Sequence, residues 1–233
     1  MSRIADDWRR QQFHLDLLAR HAPHPDLSIC DIGAALGTFF AALTVRGFHL
    51  AVLVDKFDGS GDMDPAVRQY HAEIGVEVIN RDVIADGLGG IPGDFDVVTT
   101  FDSLEHWHHS PKRLLHEVTQ KLRPGGILII GVPNCANVKK RALAILGRTQ
   151  WSSMAHWYEE RVFTGHVREP SVSDLYYIAR DTGLRVEAIY GRNWLGYRHP
   201  KRYVRWATAL ADYPLQLRPS LCADLYLVGR KTH

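Results

Sequence analysis

Residues 29–40, ICDIGAALGTFF, constrain this chain more than any other stretch. A short apolar run reaches Asp31, and Gly33 and Gly37 then bracket a small-residue turn before TFF opens a second apolar run. Glycines four apart, where a strand hands over to a helix, point to a backbone that something approaches closely. In an open α/β sheet that place is the carboxyl end of the first strand, where the polar part of a nucleotide sits.

The rest of the chain repeats the strand–helix rhythm. Residues 4–20 suit a leading helix. FHLAVLVD is a second strand ending on Asp55, and KFDGSGDMDP a solvated loop that lacks the EF-hand spacing. Pro65 opens a helix. VEVINRDV and FDVVTTFD are the third and fourth strands, followed by a helix over 111–122, the turn RPGG and a fully apolar fifth strand ILIIGVPN. Beyond Asn134 the pattern turns helical and aromatic. A helix over 171–182, a strand LRVEAIYG, a basic aromatic segment and a last strand LCADLYLVGRK complete the chain. The expectation is one domain over 1–233, a parallel α/β sheet with helices on both faces, and a helical cap over 136–165.

The bulk numbers narrow the partners. The 233 residues carry a net charge of +2 with histidines neutral, too weak a bias for nucleic acid or an anionic surface to be read from charge alone. Cys30, Cys135 and Cys222 are scattered, as free thiols in a reducing cytoplasm would be. The first residues mix charge into their turns and no 18-residue apolar run occurs, so a cytoplasmic chain without a transmembrane segment is expected.

The glycine loop must choose between ligands. A dinucleotide would want G-x-G-x-x-G, and the register supplies Gly33, Ala35 and Thr38. S-adenosylmethionine (SAM) has no phosphates and needs only a close backbone approach. On Asp31, Gly33, Ala35 and Gly37, with Asp55 closing the second strand, Asp82 following the third, and LRPGGILIIGVPN, the sequence resembles a class I SAM-dependent methyltransferase. Ala35 replaces one customary glycine. The resemblance implies a Rossmann-like seven-stranded sheet of order 3-2-1-4-5-7-6 with the last strand antiparallel. It implies Asp55 on the ribose, Asp82 on the adenine amino group, and Lys56, Val83 and Phe101 beside them in the cofactor site.

After the fourth strand, FDSLEHWHH contains Asp102, Glu105 and His106. This D-x-x-E-H resembles the E-x-x-E-H of ubiquinone-type and small-RNA 3′-end O-methyltransferases, in which carboxylates and histidine bind a divalent metal. His166 in FTGHVREPSVSDL falls where the RNA group adds a ligand. Two readings stand. Asp102, Glu105, His106 and His166 hold Mg²⁺ or Mn²⁺, or His106 acts alone as base while Asp102 and Glu105 tune it. His108 and His109 read as solvated.

Chemistry weighs on the choice. An aliphatic hydroxyl of pKa roughly 16 lies about 12 kcal/mol from ionisation at neutral pH, and a general base supplies about 3–5. A phenol near 10 leaves about 4 kcal/mol. A metal is therefore expected for a sugar and optional for a phenol. The leading expectation is O-methylation of a small polyol, sugar or glycoconjugate. A phenolic or quinone-precursor hydroxyl, an RNA 3′-terminal ribose and non-catalytic SAM binding are the alternatives. A small-molecule or glycan acceptor and a homodimer are the expected partners. Trp151, His156, Trp157, Tyr158 and Phe163 in the cap suit either an acceptor wall or a small core. Trp194, Tyr197, Trp206, Arg198, Lys201, Arg202 and Arg205 form a basic aromatic stretch with three readings, first a solvated face, then contact with a phosphate-bearing acceptor or a lipid-surface helix.

Overall fold

The computed structural model describes all residues except 1, 25, 35–36, 44–46, 49, 58–63, 149–151, 198 and 233; of residues 2–7 it describes the backbone. Ala35, most of the acidic loop, Trp151 and Arg198 thus lie outside the described residues.

Seven strands form one sheet of order β3-β2-β1-β4-β5-β7-β6. They are β1 (Ser28–Ile32), β2 (Leu50–Asp55), β3 (Val76–Asn80), β4 (Phe95–Phe101), β5 (Leu122–Pro133), β6 (Leu184–Arg192) and β7 (Asp224–Lys231). The first five run parallel, while β7 is antiparallel to both β5 and β6. The expected order and the antiparallel last strand are both borne out.

Alternate residues of the central strands feed two cores, because successive side chains leave opposite faces. Ile29, Leu53, Val97 and Ile129 pack against α1 (Ser2–His21), α2 (Thr38–Leu43) and α3 (Pro65–Glu73), through Phe13, Phe39, Phe40 and Val67. Cys30, Val52, Val98 and Leu128 face α4 (Val83–Asp86), α5 (Lys112–Lys121) and α8 (Val172–Asp181), through Val83, Leu114, Leu115 and Leu175. Strands buried on both sides favour apolar residues on both faces, which explains their largely hydrophobic runs; the buried polar exceptions Asp31 and Thr99 bond to each other.

Three boundaries differ from the sequence reading. RPGG, expected as a turn before β5, lies within it. The register shifts between Phe95 and Val97, and Gly126 sits where a Cβ would meet the Arg123, Asp96 and Phe95 carbonyls at 2.9–3.1 Å. The third strand stops at Asn80 because Asp82 caps α4, its carboxylate accepting from the Ala85 amide at 3.0 Å. The basic aromatic segment forms two helices, α9 (Trp194–Tyr197) and α10 (Arg202–Gln216). The cap contributes α6 (Val138–Ile145) and α7 (Met154–Glu159), and Ser171 caps α8 through a capping box with Asp174.

The ends of β1–β5 share one edge with the β6–β7 connection, since Arg192 pairs Asp224 where Pro133 does. The cap, α9 and α10 therefore all emerge at the carboxyl edge of the sheet.

Candidate active site

A cavity of about 500 Å³ opens at that edge, lined by Gly33, Asp55, Lys56, Asp82, Val83, Asp102, Ser103 and His106 among others. Gly33 has φ +71, and a Cβ there would lie 1.9 Å from Ser103 Oγ, so glycine alone permits this turn. The Asp55 carboxylate accepts from the Lys56 amide at 2.7 Å, and Lys56 Nζ lies 3.2 Å from Asp82 Oδ2. The amide of Ala85 and, less strongly, Lys56 hold Asp82 below the usual carboxylate range. Two carboxylates at the mouths of neighbouring strands suit hydroxyl and amino donors and repel phosphate, the profile of a nucleoside without a pyrophosphate. Of the remaining residues expected at the cofactor, Asp31, Gly37 and Phe101 do not line this cavity. Asp31 is buried and accepts a hydrogen bond from the Thr99 hydroxyl at 2.7 Å; burial pushes its carboxyl up to about 7. Gly37, at φ +63, leaves room for the protein itself, since a Cβ would meet Leu53 at 2.3 Å and His71 at 2.5 Å. Phe101 stacks on His14 of α1 at 3.9 Å with the rings 2° from parallel.

Beside the cavity, Glu105, His106 and His166 place one donor atom each within 4.8 Å of one another. Glu105 and His106 come from the 3-10 turn Leu104–His106 after β4, and His166 from the segment between α7 and α8. Backbone pairing brings the two segments together: Val167 and Arg168 amides donate to the Glu105 carbonyl at 2.7 and 3.3 Å. His106 Nδ1 donates to the Thr164 carbonyl at 3.1 Å, which leaves the Nε2 lone pair of the neutral ring available. Burial and the neighbouring His166 lower the His106 pKa, favouring that neutral form. His166 Nδ1 donates to Glu169 at 2.8 Å, and this bond raises its pKa. Lys140 of α6 pairs with the other Glu169 oxygen. Glu105 is 1% exposed; its Oε1 lies 4.0 Å from His166 Nε2, and its Oε2 has no hydrogen-bond partner among the described residues. Burial pushes the Glu105 carboxyl up to about 7.

Asp102, expected as a fourth member, does not join this donor set. It has φ +49 and forms an ion pair with Arg10 of α1, although it still borders the cavity. Arg10 and Glu169 escaped the sequence reading. Arg10 lies 92 positions from its partner and no local pattern connects them. The Glu169 signal, an acid three residues after His166, was present in GHVREP.

His108 and His109 are exposed on the cavity rim, as expected of solvated residues. Trp157, with His108, Ser152, Phe163, His166 and Val167, lines a second cavity of about 330 Å³. Trp157 and Tyr158 are 58% and 77% exposed, so neither fills a cap core.

The sequence model of the family described as "Methyltransferase domain" matches residues 7–189. A "Ubiquinone biosynthesis O-methyltransferase" of Chromobacterium violaceum is 27% identical over 184 residues, 78% of this chain and 74% of that one. One of Pseudomonas putida strain F1 is 32% identical over 165 residues, covering 70% and 66% respectively. Other relatives of the same name match over only about half of their length. In fold, the chain is similar to the crystal structure of magnesium protoporphyrin IX methyltransferase from Synechocystis PCC 6803 with bound S-adenosylhomocysteine (SAH), with TM-score 0.61, 14% identity and 97% and 84% of the two chains covered. By the family match over most of its length and by its sheet order, the chain belongs to the methyltransferase domain family and is a class I SAM-dependent methyltransferase enzyme.

Proposed function

We propose that the enzyme methylates a hydroxyl oxygen, that of a phenolic or catechol-type ring in a small molecule, at the Glu105–His106–His166 cluster. The observation that carries transfer at this place is the cluster itself, three donors within 4.8 Å beside the cavity bounded by Gly33, Asp55 and Asp82, while the choice of a ring as acceptor is supported by the relatives named for ubiquinone biosynthesis. SAM, when bound, would supply an electrophilic methyl group to the acceptor oxygen and leave as SAH. Asp55 would accept from ribose hydroxyls and Asp82 from the adenine amino group, with Lys56, Val83 and the bare backbone at Gly33 lining the same cavity. Asp31, Gly37 and Phe101 are engaged by Thr99, by Leu53 and His71, and by His14 rather than lining the cavity. Asp102, fixed by Arg10, borders the transfer site and adds negative charge next to the histidines.

His106 Nε2 is the group that takes the hydroxyl proton. A base of this kind contributes about 10²–10⁴, about 3–5 kcal/mol, close to what a phenol requires. The same donors fit a divalent cation of the Mg²⁺ or Mn²⁺ class: one buried carboxylate oxygen without a hydrogen-bond partner among the described residues and two imidazole lone pairs, with no thiolate. Glu105, His106 and His166 would hold it, oriented by Glu169, and it would supply Lewis acidity to the acceptor oxygen. That complete donor set favours the second reading, a sugar or polyol hydroxyl, whose larger deficit calls for the cation. The relatives named for ubiquinone biosynthesis favour the ring.

A panel of catechols, phenols and sugars with labelled SAM, in EDTA and in Mn²⁺, tests this. Transfer to a catechol supports the ring assignment, whereas transfer confined to sugars in Mn²⁺ replaces it with the second reading. Full activity in EDTA leaves His106 as base without a cation. Transfer to nitrogen or carbon acceptors alone contradicts O-methylation.

A further inference from the structure

We propose that the outer face of α10 docks the enzyme on a bilayer surface bearing anionic headgroups. This does not depend on the acceptor proposed above.

The helix has two unlike sides. Its inner side is held by the fold: Asp212 accepts from Asn193 at 2.8 Å and from the Tyr197 hydroxyl at 2.7 Å, while Gly196 of α9 lies so close to Thr208 that a Cβ would meet it at 2.3 Å. On the other side stand Tyr203, Trp206, Leu210, Tyr213 and Leu217, between 60% and 75% exposed. Their spacing of three and four residues puts all five on one helical face. Large apolar side chains gathered this way mark an interaction surface.

Charge selects the partner. Lys201 and Arg202 are exposed at one end of the face and Arg218 at the other. From 201 to 218 no acidic residue is exposed; the single acid there, Asp212, is the one turned inward. A second copy laid on this face would set cation against cation, in either parallel or antiparallel alignment, and like charges at an interface oppose association. An anionic bilayer meets both halves of the pattern. Tyrosine and tryptophan settle at headgroup depth, leucine sinks further, and each basic residue is drawn to the surface. At 1.5 Å per residue the 15-residue helix is about 22 Å long, short of a hydrocarbon core of about 30 Å, so it lies on the surface. Among the described residues no helix is long and apolar enough to cross a membrane. The connection that carries α10 leaves the sheet at its carboxyl edge, the edge that also holds the candidate active site.

The test is co-sedimentation of the full chain with sucrose-loaded vesicles, either pure phosphatidylcholine or containing about 30% phosphatidylglycerol. Binding is expected on the anionic vesicles at low salt, to weaken steeply at about 0.5 M salt, and to be slight on the neutral ones. Trp206→Ser with Leu210→Ser, both on the surface, should keep the circular dichroism spectrum and SAH binding yet lose more than tenfold in partitioning. Arg202→Gln should lose about fivefold, equivalent to about 1 kcal/mol. Absence of wild-type binding to anionic vesicles at low salt overturns the proposal, as does equal binding by the double variant. A dimer in sedimentation equilibrium that the double variant dissociates, with no vesicle binding, assigns the face to a second copy instead.

Discussion

At the scale of single residues, the environment decides which groups do chemistry. His106 was readable from D-x-x-E-H. The role as a base proposed for it rests on something the sequence does not carry, the Thr164 carbonyl that fixes the proton on Nδ1. His106→Ala is expected to lower kcat by about 10²–10⁴ while SAH affinity stays within a few-fold; an unchanged kcat in single-turnover methyl transfer would remove it from the chemistry. Asp31 acts on stability. Its folded pKa of about 7 lies above the unfolded value near 3.9, so the native state keeps a proton that the unfolded chain has released. Stability is thus expected to fall as pH rises from about 4 to 7, and Asp224, raised by burial to about 7, acts in the same direction. Glu187 opposes them. Arg230 holds it down to about 2, so its stabilisation is full above about 4.5 and is lost as pH falls toward 2. Denaturant titrations of wild type and Asp31→Asn across that window should give a flatter pH dependence for the variant; parallel curves would contradict the assignment.

At the scale of elements, the strands were legible and the late helices were not. Strands buried on both faces are largely apolar, and such runs are visible without any partner in view. For α10 there was no start signal, since Lys201 caps nothing by its side chain, and Pro214 lies inside the helix. Its apolar stripe faces outward, so it read as an irregular basic stretch. The glycine loop was found, but for a mixed reason. Gly33 faces the cavity and Ser103, whereas Gly37 is required by Leu53 and His71 packing behind the loop. Gly37→Ala is therefore expected to destabilise the fold by about 2–3 kcal/mol, lowering Tm by about 4–12 °C in thermal melts. A variant as stable as wild type would show that α3 and β2 can give way.

At the scale of the molecule, one carboxyl edge gathers the residues of the candidate site. The sheet order places Gly33, Asp55 and Asp82 at adjacent strand ends. The fourth strand then delivers Glu105 and His106, and the return from the cap delivers His166, 60 residues after His106 in the chain. Local pattern supplied each piece, but only the closed fold separates Asp102, claimed by Arg10, from the three donors that meet. Mn²⁺ binding followed by electron paramagnetic resonance should fall at least tenfold in Glu105→Gln; equal binding would move any cation elsewhere. The most direct test of the whole arrangement is calorimetric titration of wild type and Asp55→Ala with SAH. One-to-one binding by the wild type, weakened about 10–100-fold in the variant, is predicted from the loss of a charged hydrogen-bond acceptor. Identical affinities, or no heat with the wild type, would contradict the account.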